Sequence, residues 1–187
     1  GKNSSSNQLS YSHGASTLPL LGETIGENLR KTVEKFSKHI ALIVFSEKSE
    51  YNYEQLWEQT TKLSKSLMHL GIKKYDKVGI WCPNRFEWII VQYATARIGA
   101  ILVNINPSYQ LPELEYVLND ACVKLIISAK SSRTSDYEQL LHNVKPKCPN
   151  LENIIIIDNE WHQVMNFSEQ ITDDELDHNE SRVQFDE

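Results

Sequence analysis

The sequence predicts an α/β fold: a doubly wound, mostly parallel sheet with helices on both faces. Three observations predict it. Short apolar segments of strand length alternate with segments of helical period, in units of about 25 residues, the repeat of a strand, a crossover helix and the next parallel strand. Ser/Thr/Asn–x–x–Glu/Gln pairs open the helical segments, and Gly71 and Gly99 close two of them. One segment, 84–98, is apolar on most sides, so it needs a sheet on one side and a further layer on another.

The elements follow in order. Residues 1–17, Ser/Asn-rich at the start, read as a flexible tail, and 18–160 as the α/β subdomain. Thr24 and Glu27 form a capping box for a helix to about Phe36, with Ile25, Leu29, Val33 and Phe36 inward. Ile40–Ser46 is a strand, and a turn at Glu47–Glu50 returns the chain. Asn52 and Gln55 open a long helix with the inward stripe Tyr53, Leu56, Trp57, Leu63, Leu67 and Leu70. Gly71 ends it in the left-handed conformation, with Ile72 supplying the apolar contact that accompanies such an ending. Lys77–Cys82 is the next strand, broken by Pro83-Asn84. Asn84 and Glu87 offer a third capping box for the apolar helix that runs to Ile98. After Gly99, Ala100–Ile105 is a strand, Pro112 suits the first turn of a helix to Leu118, and Val123–Ser128 is a strand. A helix near Ser135–Val144 and a strand at Asn153–Asp158 complete the alternation. From Glu160 the pattern fails. Residues 161–187 read as an acidic connector toward a missing remainder, with a surface helix from Thr172 threaded only by Leu176, Val183 and Phe185.

Composition narrows the function classes. A net charge of −6 argues against a nucleic-acid surface, which needs clustered Lys and Arg; the pairs Lys73-Lys74 and Lys145/Lys147 read as solvated turns. No apolar run approaches the ~20 residues of a membrane span. Cys82, Cys122 and Cys148 form no CxxC pair and read as reduced thiols of a cytosol-like compartment. Cytoplasmic localisation follows, with a mitochondrial matrix as the alternative if a transit peptide has been removed.

A search for chemistry finds scaffold. The loop after the Lys77 strand, Cys82-Pro83-Asn84-Arg85, has no glycine for close phosphate approach, and neither GxGxxG nor GxxxxGK[ST] occurs. Arg85 at a helix start could touch an anion; the plainer reading is a surface arginine. Cys82 at a strand end reads as a small apolar filler. The histidines, His13, His39, His69, His142, His162 and His178, are scattered without metal-ligand spacing. The run Asp173-Asp174-Glu175, with Asp177 and Glu180, lacks the alternation and central glycine of a calcium loop and reads as a solvated linker. Trp57, Trp88 and Tyr93 read as core. No catalytic, cofactor-binding or metal-binding residue is assigned.

Three stretches carry a resemblance. Tyr51-Asn52-Tyr53-Glu54-Gln55-Leu56 resembles the first core motif of the adenylate-forming superfamily, and Leu70 to Val78 resembles the lead into its next strand. Asn84-Arg85-Phe86-Glu87-Trp88, followed by Ala94 to Tyr109 and Leu114 to Asp120, is similar to the second core motif and its preceding helix. Order and spacing agree over roughly residues 18 to 130, and Asn106-Pro107-Ser108-Tyr109 is most similar to the medium- and long-chain fatty acyl-CoA synthetases. In physical terms Gly99 lets the buried helix pass tightly into the next strand, and Pro107 fixes the turn after that strand. One departure is Tyr75, where the family usually has Gly; if that turn needs positive φ, Tyr costs about 1 kcal/mol or more.

The resemblance implies a two-step ligase in which a carboxylate attacks ATP, with Mg²⁺, to give an acyl-adenylate and pyrophosphate, and the thiol of CoA then displaces AMP. The family's phosphate-cradling Ser/Thr/Gly-rich loop, its aromatic-and-acidic motif for adenine and metal, and its distant lysine have no counterpart here. The expectation is therefore an N-terminal fragment of a fatty acid–CoA ligase, inactive alone, whose partner is the remainder of its own chain. The alternatives are a freestanding, non-catalytic α/β ligand-binding module on the same scaffold, and an interaction or scaffolding protein.

Overall fold

A computed structural model describes residues 21–45 and 48–184. The expected tail 1–17 lies outside the described residues, as do the strand end at Ser46, Glu47 of the turn, and Phe185. In chain order the elements are α1 (Ile25–Phe36), β1 (Ile40–Val44), β2 (Ser49–Asn52), α2 (Tyr53–His69), β3 (Lys77–Trp81), α3 (Phe86–Arg97), β4 (Ile101–Asn104), α4 (Leu111–Asp120) and β5 (Val123–Ser128). A two-residue pair, β6 (Ser131–Ser132) and β7 (Ser135–Asp136), precedes α5 (Tyr137–Val144), β8 (Asn153–Ile156), α6 (Ile157–Asn166) and α7 (Asp173–Glu180).

The main sheet has the order β4-β3-β5-β8, parallel throughout. The chain steps outward from β3 to β4, then reverses past β3 to β5 and on to β8. With right-handed crossovers that reversal puts α3 on one face and α4 and α5 on the other. The packing agrees: α3 lies against α1 and α2, while α4 lies against α5. The expected doubly wound sheet with helices on both faces is the observed architecture.

Sequence signals at the helix ends hold in detail. Thr24 and Glu27 cap α1 reciprocally at 3.1 and 2.8 Å, and Asn52 and Gln55 cap α2 at 2.8 and 2.9 Å. Gly71 takes φ 83. Its N–H donates to Met68 and that of Ile72 to Leu67, each at 3.0 Å, while the Ile72 side chain is buried. Gly99 ends α3 the same way at φ 71, and an added Cβ would meet Lys74 Cγ at 2.9 Å and Val183 Cγ2 at 3.1 Å. Tyr75 sits at φ 69, so this turn does need the left-handed conformation that glycine provides without strain.

Several expectations are corrected. The Ile40 strand does not join the sheet: it pairs antiparallel with β2 alone, because a short turn cannot supply the crossover that a parallel pair demands. The Asn84–Glu87 capping box does not form; α3 starts at Phe86 with Arg85 at its N-cap, and Arg85 occupies the Glu87 carboxylate. The last strand ends at Ile156, where its N–H donates to Glu160 Oε1 at 2.8 Å and opens α6. Ile157, Val164 and Met165 are the buried face of that helix, at helical spacing, and the helix runs past Glu160, where the sequence pattern ends the alternation. The acidic run is not wholly solvated either: Glu180 is 8% exposed and ion-paired.

Candidate functional site at the carboxyl edge of the sheet

In an open parallel sheet, ligands bind beyond the carboxyl ends of strands, where neighbouring strands send their connections to opposite faces. Here β3 leads to α3 on one face and β5 leads to α5 on the other. The loops after Trp81 and Ser128 therefore flank a crevice.

Three segments close it. Arg85 donates from Nε and Nη2 to both oxygens of Glu87, at 2.9 and 3.0 Å, and from Nη1 to Asp158 Oδ1 at 2.9 Å. The other oxygen of Asp158 accepts the backbone N–H of Lys130 at 2.7 Å. Burial works to raise the Asp158 carboxyl, but the Lys130 N–H and the Arg85 guanidinium together hold it below its usual value. Burial likewise opposes the Arg85 charge, and the two carboxylates more than restore it. Arg85 is thus a neutralised structural tie, and an incoming anion would have to displace two carboxylates to reach it. Asp158 escaped the sequence reading because it was placed at the end of a strand.

Cys82 lies beside this knot, and burial pushes its thiol up to about 12, with only a small opposing effect from Arg85. It stays protonated near neutrality and is no nucleophile. The loop after β4 is fixed at the same edge. Trp81 donates from its indole nitrogen to the Asn106 carbonyl at 2.9 Å, and the Tyr137 hydroxyl donates to the Pro107 carbonyl at 2.6 Å. The two rings stack with centroids 3.7 Å apart. Asn106 Oδ1 also accepts the Ser108 N–H at 2.9 Å. Tyr137 in this role had no local sequence signal, since its partner is reached only through the sheet order.

An open groove of about 550 Å³ adjoins the crevice, between β1 and the first turns of α3. Leu42, Ile43, Phe45, Trp88 and Ile89 line it, with Asn84 and Arg85 as polar members. Tyr51 of β2 stacks on Phe86 of α3 at 3.6 Å and holds the hairpin there.

The remaining candidates are dispersed. Trp57 lies beneath the Arg97 guanidinium, 3.8 Å from its ring centroid. Arg97 grips Glu180 through Nε and Nη2, both at 3.1 Å, and donates to Thr61 Oγ1 at 2.7 Å. Asp173 pairs with Lys65 at 2.6 Å, and Glu175 caps α7 with Thr172. Among the described residues no three His, Cys, Asp or Glu side chains are grouped to hold a metal ion, and no helix is long and apolar enough to cross a membrane. His13 lies outside the described residues.

Comparison with known proteins gives these features a context. Residues 29–186 match the family model described as AMP-binding enzyme. Over 144 residues the chain is 40% identical to the mitochondrial medium-chain acyl-CoA ligase ACSF2 of Mus musculus, covering 77% of this chain and 23% of that protein. The Homo sapiens protein of the same name is 37% identical over 145 residues, covering 78% and 23%. Among solved structures, a long-chain-fatty-acid-CoA ligase (FadD1) from Archaeoglobus fulgidus gives a TM-score of 0.73 at 24% identity, over 88% of this chain and 33% of that one. The N-terminal domain of FACL13 from Mycobacterium tuberculosis gives 0.70 at 22% identity, over 77% and 36%; at these identities the likeness is one of fold. The chain thus spans about a quarter of the length of the curated relatives it matches.

Proposed function

From the premise that this chain belongs to the AMP-binding enzyme family, we propose that it is part of the large N-terminal domain of a medium- or long-chain fatty acid–CoA ligase. The observation that carries this reading is the 40% identity over 144 residues to a medium-chain acyl-CoA ligase. The whole enzyme joins a fatty acid to CoA in two steps. The fatty carboxylate oxygen attacks the α-phosphorus of ATP and expels pyrophosphate; the CoA sulfur then attacks the acyl carbon and expels AMP, losing its proton.

Developing charge on transferring phosphoryl groups calls for preorganised cations, backbone N–H groups and a metal. At the carboxyl edge Arg85 is tied by Glu87 and Asp158, and its own loop, 82–85, has no glycine. These residues do not fit ATP or Mg²⁺, so both, with CoA, are assigned to the rest of the enzyme. On this reading the 187 residues serve as a rigid wall with 161–187 as the connector, and are inactive alone. The mitochondrial relatives favour the organelle alternative over the cytoplasm.

Pyrophosphate–ATP exchange tests the reading. The protein translated from the natural reading frame should exchange label in the presence of octanoate or palmitate, and residues 1–187 alone should not. No exchange with any fatty acid would remove the ligase claim. Calorimetric binding of ATP or acyl-CoA by the 187 residues alone would support the freestanding binding module instead.

A further inference from the structure

We propose that Cys122 and Cys148 are a peroxide-responsive thiol pair that closes reversibly to a disulfide at the amino ends of β5 and β8. Neither thiol belongs to the carboxyl-edge crevice, so the pair stands whatever reaction the whole enzyme performs.

Two elements bring these thiols to one residue, Asn119. Helix α4 ends at Asp120, and Cys122 follows in the left-handed conformation at φ 51. Such an ending turns the chain back onto the last helical turn. The Cys122 N–H donates to the Asn119 carbonyl at 3.0 Å, and Cys122 Sγ lies 3.5 Å from the same oxygen. From the other side comes the 3₁₀ turn Lys145–Lys147, which delivers Cys148. Asn119 Nδ2 donates to the Lys147 carbonyl at 3.2 Å, and the Asn119 side chain is also hydrogen-bonded to the Cys148 sulfur. One asparagine therefore stands between two thiols, with its carbonyl on the first and its side-chain amide on the second.

The sheet keeps both cysteines at this place. Cys122 immediately precedes β5, and the Cys148 carbonyl accepts the Leu151 N–H at 3.1 Å in a tight turn. The next residue, Glu152, donates to the Lys124 carbonyl at 2.7 Å, and Leu125 of β5 pairs with Asn153 of β8. The two cysteines thus flank the starts of neighbouring strands. Such strands run about 4.8 Å apart, within the Cα separation of about 4.4–6.8 Å that a disulfide spans. Closure asks the Cys122 side chain to swing off the Asn119 carbonyl, and the Asn119 amide to release Cys148.

The pair is asymmetric. Cys122 is exposed, whereas Cys148 is 2% exposed. Burial and then Glu115 raise the Cys148 thiol, against the Asn119 hydrogen bond and the neighbouring lysines. Cys122 is therefore the sulfur that meets an oxidant, and Cys148 the one that resolves it. With hydrogen peroxide, the Cys122 thiolate attacks one peroxide oxygen; the O–O bond breaks and hydroxide leaves, taking up the proton the thiol gave. The product is a sulfenic acid. The Cys148 sulfur then attacks the Cys122 sulfur, the S–S bond forms, and the S–O bond breaks as water leaves with the Cys148 proton. Two thiols are oxidised and one peroxide is reduced to water. An added dithiol reverses the bond by exchange. Transient, sensing disulfides are the kind that reducing compartments contain.

Peroxide treatment of the folded protein, then alkylation of the remaining thiols and peptide mass mapping, tests this. A linked Cys122–Cys148 peptide, lighter by two hydrogens than its parts, should appear. Two of the three free thiols should be lost, and dithiothreitol should restore both. In Cys148→Ser the reaction should stop at Cys122 as a sulfenic acid trapped by dimedone, and in Cys122→Ser the Cys148 thiol should stay reduced. A Cys122 that does not react would overturn the proposal. So would Cys122 oxidised to a sulfinic acid, or linked to a second copy, while Cys148 remains free. A Cys122–Cys148 link that forms only in urea would overturn it as well, since it would belong to the unfolded chain.

Discussion

The two ends of α3 each carry an arginine bound to carboxylates, and the two knots differ in almost every physical respect. Arg85, at the carboxyl edge, keeps 23% of its side-chain surface exposed and ties the starts of α3 and α6 to the loop after β5. Arg97, at the amino edge, keeps 2%, grips a single carboxylate, donates to Thr61 and has an indole against its face. The first knot is screened by water and ions. The second is dry, so each of its members depends on the others to offset its lost hydration. Only the second ties the acidic α7 to the body.

That contrast can be broken most forcefully at the dry end. Arg97→Ala leaves the Glu180 carboxylate buried without a cation, and should cost about 3–5 kcal/mol of unfolding free energy in urea titrations; a cost under about 1 kcal/mol would show that α7 swings out to water instead. Gly26→Ala comes next. Its new Cβ would lie 2.6 Å from Glu180 Oε1 and 3.0 Å from Arg97 Cγ. The expected loss is about 1–3 kcal/mol, and it should shrink in a Glu180→Ala background because the two sites share one contact.

At the wet end the effects are smaller. Arg85→Ala should cost about 1 kcal/mol and weaken in its effect at high salt, unlike Arg97→Ala. Back at the amino edge but outside the dry knot, in the turn whose Tyr75 N–H donates to Gly99, Tyr75→Gly should raise stability by about 0.5–1 kcal/mol, as relief of left-handed strain exceeds the added chain entropy. Finally, the lowered carboxyl of Asp158 contributes stability that is present above its unfolded value of about 3.9 and lost as pH falls through the folded value. Urea midpoints for Asp158→Asn should therefore show a shallower decline than the parent below about pH 4.

What the sequence disclosed follows the range of each interaction. The caps at Thr24 and Asn52 and the turns at Gly71 and Gly99 are settled within a few residues, so local chemistry announces them. The parallel sheet was legible because strand and helix periods alternate. The partnership of Arg97 with Glu180 was not, since it joins residues 83 positions apart and nothing near Glu180 distinguishes it from its solvated neighbours. Arg85 with Asp158, 73 positions apart, was hidden for the same reason. The family resemblance was carried by turn-forming and core residues, so it disclosed ancestry more readily than chemistry.

Trp57 under the Arg97 guanidinium gives the molecule an optical marker of its own. The chain has four tryptophans. Trp81 is sealed against Tyr137, and Trp88 and Trp161 lie on other elements. Trp57 lies against Arg97, which pairs with Glu180 of α7. Lifting α7 would change the field and hydration at that indole, so the docking of this acidic helix is written into the colour of a ring.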